Sequence, residues 1–249
     1  MKHNKNSSIR NIFIIFIVSV YSASLNAALI SRNNGLAVYD TTLDVTWLSN
    51  ANLALTESFG LPTDPYDPRL GGRGADPNYI QSNGSTTHQV SNQFINEMNG
   101  FNSGSGYLGV NTWRLPTSID PDPSCTSGDP INGMHDCTGS ELGHLALIDF
   151  NNDLNHPDRI NLFTDFTSGF YWTGTASPDF DGIYDGSRNW AFFMNSGLNV
   201  SWYRFDSAYI LPVADGDVFA SAVPIPAAIT LFGPGLFALL HLARSKKKY

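Results

Sequence analysis

The sequence predicts a single α+β domain built around an antiparallel sheet. Three observations lead there: a hairpin pattern early in the body, two amphipathic helical stretches in the middle, and a C-terminal third dense in aromatic strand-forming runs. Strands that are grouped rather than alternating regularly with helices argue against a parallel α/β sheet.

The hairpin is GLAVYDTTLDVTWLSN (35–50), in which Leu36, Val38, Val45 and Trp47 flank the polar stretch Asp40 to Asp44 and share one buried face. Residues 57–88 are crowded with Pro, Gly and Asp and have no periodicity, which predicts a long surface loop. Thr86 or Thr87 then caps a helix with Val90, Phe94, Met98 and Phe101 on one side, closed by Asn99-Gly100. VNTWRLPTS (110–118) reads as a short strand stopped by Pro116. Thr138 and Glu141 form a capping-box signature ahead of a second helix that buries Leu142, Leu145, Ala146 and Ile148. The runs FYWTGTA (170–176), NWAFFMNSG (189–197), LNVSWYRF (198–205) and SAYILPVAD (207–215) are strand-like, with Asn195-Ser196-Gly197 as the turn between the middle pair.

The two ends differ from this body. Lys2, Lys5 and Arg10 precede the largely apolar run 12–20 and the small residues Ser22 to Ala28, the layout of a secretory signal peptide over 1–27. At the other end, 225–243 is apolar and long enough for a membrane helix, and Arg244, Lys246, Lys247 and Lys248 place its end in the cytoplasm. The domain is expected over 28–218, joined by a linker (219–222) to this tail. All five lysines lie in the terminal segments; between residues 28 and 222, seven arginines face 22 acids, a net charge of −15. Such a surface repels polyanions, which makes nucleic acid and sulfated glycans poor partners, attracts divalent cations and favours neutral or cationic ligands.

VYDTTLDVTWLSNANLA, WRLPT, ELGHL, YWTGT and YILPVADGDV occur here in an order that resembles a family of bacterial exported domains, that of the collagen-like adhesin C-terminal domain. The resemblance covers roughly 35–218 and implies a fold similar to C-type lectins and the formylglycine-generating enzymes, with Trp113, Arg114, Leu115, Pro116, Glu141 and Trp172 as signature positions. The tail resembles a PEP-CTERM sorting signal, with Val223, Pro224, Ile225 and Pro226 as its motif and Ile standing where the namesake pattern has Glu. This implies processing by an exosortase-type enzyme at the inner membrane, then delivery to the cell surface or beyond, often beside exopolysaccharide. The function implied is that of a binding or matrix protein engaging polysaccharide or surface partners. The alternative is an extracellular enzyme on a formylglycine-enzyme-like scaffold.

Cys125 and Cys137, the only cysteines, are expected to form a disulfide in an exported chain. Asp179, Asp181 and Asp185 surround two glycines and offer oxygen ligands for Ca²⁺, the one cofactor suggested, although a solvated turn has the same pattern. Trp113 and Arg114 suit either a ligand contact or a core Trp beside an Arg paired with a carboxylate. His88, His135, His144 and His156 lack the spacing of a helical zinc pair. His144, three residues after Glu141, allows an acid-base pair or a surface hydrogen bond. An enzyme would need His144, Glu141 or the cysteines to meet in one pocket.

Overall fold

The computed structural model describes residues 29–64, 78–153 and 155–220. The expected signal peptide, the Val223 to Pro226 motif and the apolar run 225–243 lie outside the described residues. Among those described, no helix is long and apolar enough to cross a membrane.

The chain opens with β1 (Leu29–Arg32), which pairs antiparallel with β2 (Ala37–Asp40) across a tight turn where Asn33, Asn34 and Gly35 all take positive φ. β2 pairs in turn with β3 (Val45–Leu48), setting Val38 opposite Trp47 as the hairpin pattern predicts. The connecting turn is held by Asp40, whose Oδ1 accepts from the backbone N–H groups of Thr42 and Leu43 (2.9 and 3.0 Å). The hairpin is buried on both faces, with Ala37, Val38, Thr46, Trp47 and Leu48 all inside, and Leu36 is exposed. It lies centrally in a four-stranded sheet, and the two faces feed different hydrophobic clusters. Leu48 packs with Phe94, Trp113 and Trp172; Trp47 packs with Leu142, Leu145 and Phe150.

The described parts of 57–88, residues 57–64 and 78–88, are more structured than a surface loop. β4 (Thr63–Asp64) pairs in parallel with β5 (Ile80–Gln81), and Ile80, Ser85, Thr86 and Thr87 are buried. Thr87 caps α1 (His88–Gly104), accepting from Val90 N, and Val90, Phe94 and Met98 form its buried side. Phe101 leaves helical geometry and is exposed, resting edge-on against Phe59 and Tyr107, so the apolar stripe ends one turn earlier than its spacing suggests.

The second helix begins at Ser140, whose hydroxyl accepts from Gly143 N, and not at a Thr138–Glu141 capping box. After α2 (Glu141–Gly143) the helix widens into a π turn, His144–Asp149, seen in the bond from Phe150 N to Leu145 O (3.0 Å). That widening buries Leu145 and Ala146 but turns Ile148 outward. A short α3 (Pro157–Leu162) follows, capped by His156.

The cysteine loop contains a hairpin that its composition hides: β6 (Ser127–Asp129) and β7 (Gly133–His135), bracketed by the Cys125–Cys137 disulfide. It extends a sheet made by β8 (Phe170–Ala176), β9 (Arg188–Phe193) and β10 (Leu198–Tyr203), in the order β6-β7-β10-β9-β8. The Asn195 to Gly197 turn sits where expected, and Gly197 is at positive φ. The final run is not one strand of this sheet. Ala208 and Tyr209 bridge to Thr86 and Tyr171, and β11 (Val213–Asp215) then pairs with β3 in the first sheet. Ile210 and Leu211 fall in the two different clusters, so this segment stitches both cores and both sheets.

Two polar arrangements hold the elements in place. Arg114 N and O bond Val213 O and N (2.8 and 3.0 Å), a single bridge where a strand was expected. Its guanidinium meets both Glu141 oxygens (2.9 and 2.7 Å) and Asp215 Oδ1 (2.5 Å from Nη2). These contacts raise the Arg114 pKa, the Glu141 bonds most of all. Glu141 is mostly buried and also accepts from Thr117 N (2.6 Å), so removing the cation strands a desolvated carboxylate. Arg114→Met is therefore expected to lower unfolding stability by about 2 kcal/mol or more in urea. Arg32→Ala, breaking a part-exposed pair with the single carboxylate of Asp217, is expected to cost less than about 1 kcal/mol.

The second arrangement is His88, buried against Trp172. Its Nδ1 accepts from Asn92 Nδ2 and its Nε2 donates to Thr173 O, both at 3.2 Å, which defines a neutral ring. Burial, then the Arg204 charge, lowers its pKa to about 4. The unfolded chain therefore binds a proton near pH 6.5 that the folded chain refuses until about pH 4. Stability from this residue is present above pH 6.5 and is lost as pH falls through 4, and chemical denaturation across that window should show the loss shrinking in His88→Gln.

Candidate ligand-binding cleft

β7 pairs with β10 only over Leu198 and Asn199. Beyond that point β10 has no paired strand on this side, although Ser201 N still bonds Pro130 O (2.8 Å), and a cleft of about 440 Å³ is lined by Phe180, Arg188, Trp202, Tyr203 and Asp206 with Ile131 at the hairpin end.

Arg188 is its unusual member. It starts β9 opposite Tyr203 on β10, and directly opposite residues share a sheet face. The side chain is 4 % exposed and packed between two rings, with Tyr203 at 3.6 Å and Phe180 at 4.3 Å from the guanidinium carbon. Nη1 donates to Ser201 O (2.8 Å). Nε and Nη2 have no hydrogen-bond partner, and together they form the guanidinium edge that suits paired acceptor oxygens.

The ring above it comes from the acidic turn. Asp179 Oδ1 accepts from Asp181 N and Ile183 N (2.9 and 2.7 Å), and Asp179 N bonds Ile183 O, which presents Phe180 at the tip, 64 % exposed. Asp185 Oδ1 likewise accepts from Ser187 N (2.8 Å), and Ser187, through its hydroxyl first and this N–H second, lowers the Asp185 pKa. Two of the three expected calcium ligands, Asp179 and Asp185, therefore act as local turn caps, and Asp181 supplies a backbone N–H to the first of them. Among the described residues, Asp179, Asp181 and Asp185 do not bring three ligand atoms within reach of one ion. Tyr184, in the same turn, donates to Asp120 Oδ2 (2.5 Å), which also accepts from Trp190 Nε1.

The other sequence candidates are placed elsewhere. Trp113 is buried, its indole donating to Tyr107 O and its backbone N and O both bonded by the Asn99 amide. Arg114 faces Glu141 and Asp215 rather than the cleft. Leu115 is in the core, Pro116 O accepts from Gly174 N, and the Trp172 indole donates to Thr86 O. The disulfide leaves neither Cys125 nor Cys137 as a thiol. Glu141 turns to Arg114, while His144 turns to Asp149, so the two do not form an acid-base pair. His88, His135 and His156 lie on α1, on β7 and at the α3 cap. Two groups of potential metal ligands do assemble among the described residues: Asp122 with the two bonded cysteines, and Asp40 with His144 and Asp149.

Sequence reading missed Arg188 because a lone Arg at a strand start is ordinary. The available signal was the pairing of Arg188 with an aromatic-rich partner strand, and the strand register decides that pairing. No family model, curated protein or solved structure matches the chain.

A buried cation without a carboxylate partner contributes little to folding. Arg188→Met, which keeps the volume between the rings, is expected to change unfolding stability by no more than about 1 kcal/mol, measured beside Arg114→Met in the same denaturant.

Proposed function

We propose that the chain is an exported, non-catalytic binding protein of the cell envelope that engages neutral polysaccharide through the Arg188 cleft. One observation carries this reading: a buried guanidinium with two unpartnered donors, set between aromatic rings in an open cleft. A sugar ring offers what this arrangement lacks, an apolar C–H face to lie on Phe180 or Tyr203 and hydroxyl oxygens to accept from Nε and Nη2. Phe180 is the wall free to move, since it is mostly exposed and held through its turn backbone. The acidic body disfavours a polyanion even at an arginine, which points to neutral chains.

A C-type-lectin-like fold for this α+β domain is part of the proposal and rests on the ordered sequence signatures. Export through the N-terminal segment, exosortase-type processing at Val223 to Pro226 and anchoring by the 225–243 helix rest on sequence alone. What supports a binding role over catalysis is the chemistry of the cleft. It sets one arginine and the carboxylate of Asp206 among aromatic side chains, with no histidine or thiol among its described lining residues, and the cysteines are consumed in a bond.

Retention on insoluble polysaccharides and a glycan array test the assignment. Neutral glycans are expected to be held, and Phe180→Ala and Arg188→Met are each expected to weaken that binding at least about tenfold while near-UV circular dichroism stays native. Unchanged binding in both variants would remove the cleft from the account, and indifference of the wild-type chain to every glycan would remove the function.

A further inference from the structure

The structure assigns a second site, away from the cleft: we propose that Asp40, His144 and Asp149 bind one divalent first-row transition metal ion, of which Zn²⁺ is the probe. Asp40 is the last residue of β2 and is 1 % exposed. Its Oδ1 is fixed by the two turn N–H groups of Thr42 and Leu43, which leaves Oδ2 without a partner. His144 Nε2 and Asp149 Oδ2 are buried and unpartnered as well, 3.9 Å apart, and the Asp149 side chain is only 4 % exposed. One ligand atom from each of the three residues lies within 4.8 Å of the other two.

The π turn is what brings them together. On an α-helix, residues five apart are about 140° round the axis from each other, so His144 and Asp149 would face different ways. In the wider turn His144–Asp149 they return to the same side, and π turns of this kind recur at functional sites. Three orphaned buried polar atoms in one place are costly unless something satisfies them.

The donor set narrows the choice. A neutral imidazole with two carboxylates carries two negative charges, matching a divalent ion. Imidazole selects Zn²⁺ and its neighbours over Ca²⁺ and Mg²⁺, which prefer all-oxygen shells. The pair of turn amides orienting Asp40 plays the part of an outer shell holding a ligand in place. Without an ion, two carboxylates this close in a dry pocket cannot both ionise. Burial and then Asp40 push the Asp149 pKa up to about 8, so a shared proton is the competing occupant.

The full-length chain, stripped with chelator with its disulfide intact, is equilibrated with Zn²⁺ or Ca²⁺, dialysed and assayed for metal. One Zn²⁺ per chain is expected to stay, with Tm raised by about 5 °C or more at saturating metal, and Ca²⁺ is expected to wash out. Asp149→Asn and His144→Gln are each expected to lose the ion, whereas Asp179→Asn keeps it. X-ray absorption at the zinc edge of the unmutated protein needs no variant to fold, and it should report an imidazole nitrogen with carboxylate oxygens. Failure of the wild type to retain Zn²⁺, a spectrum without imidazole, or retention in both variants would each overturn the site and leave a proton-sharing acid pair.

Discussion

The guanidinium of Arg114 joins three parts of the chain that are distant in sequence: the Trp113 to Pro116 stretch, the start of α2 through Glu141, and β11 through Asp215. Its backbone makes the same connection again by bridging Val213. Because Glu141 also takes Thr117 N, the position at which the helix begins is fixed by this contact as much as by the Ser140 cap. The helix start then decides where the π turn falls, and the π turn decides what His144 and Asp149 face. Both hydrophobic clusters meet the four-stranded sheet that β11 closes, so this one charged group ties together segments on which both cores pack.

The body carries few cations, and the uses of three of them separate scaffold from site. Arg114 is surrounded by carboxylates and fully engaged, and Arg32 is paired with Asp217. Arg188 is more deeply buried than either, yet its environment is two aromatic rings and one carbonyl. Cation–π attraction offsets part of its desolvation, but hydrogen-bonding capacity remains unused. The same asymmetry recurs in the acids. Asp179 and Asp185 spend their oxygens on turn amides, whereas Asp40 and Asp149 keep an oxygen each for a place where no protein donor arrives. Unspent polar atoms of the described interior thus include two groups of charged or titratable side chains, Arg188 in the cleft and Asp40 with His144 and Asp149, beside scattered neutral ones such as Trp47 Nε1 and the Asn199 amide and the lone Asp122 Oδ2.

Much of the fold was legible from local pattern. The hairpin of β2 and β3, the Thr87-capped helix with Val90, Phe94 and Met98 inside, the β9 and β10 pair around Asn195 to Gly197, and the cysteine pairing all depend on neighbours close in sequence. Errors occurred where a distant segment overrode a local preference. Leu36 lies outside although it continues the hairpin's alternation, and Ile148 lies outside because the helix widens. Glu141 matches a capping box but is taken by Arg114. The Gly- and Asp-rich cysteine loop contains two strands because β10 offers them an edge.

The sequence by itself determined the class of fold, the positions of most strands and helices, the acidic character of the body and the location of its disulfide. Those follow from periodicity, turn chemistry and charge count, each a property of residues near one another along the chain. The tertiary structure alone decided that Arg188 is sandwiched and unpaired, that the acidic turn carries a phenylalanine over it, and that Asp40 meets His144 and Asp149. These placements depend on strand register and on a helix changing pitch, both set by packing between segments tens of residues apart, and no local pattern encodes them.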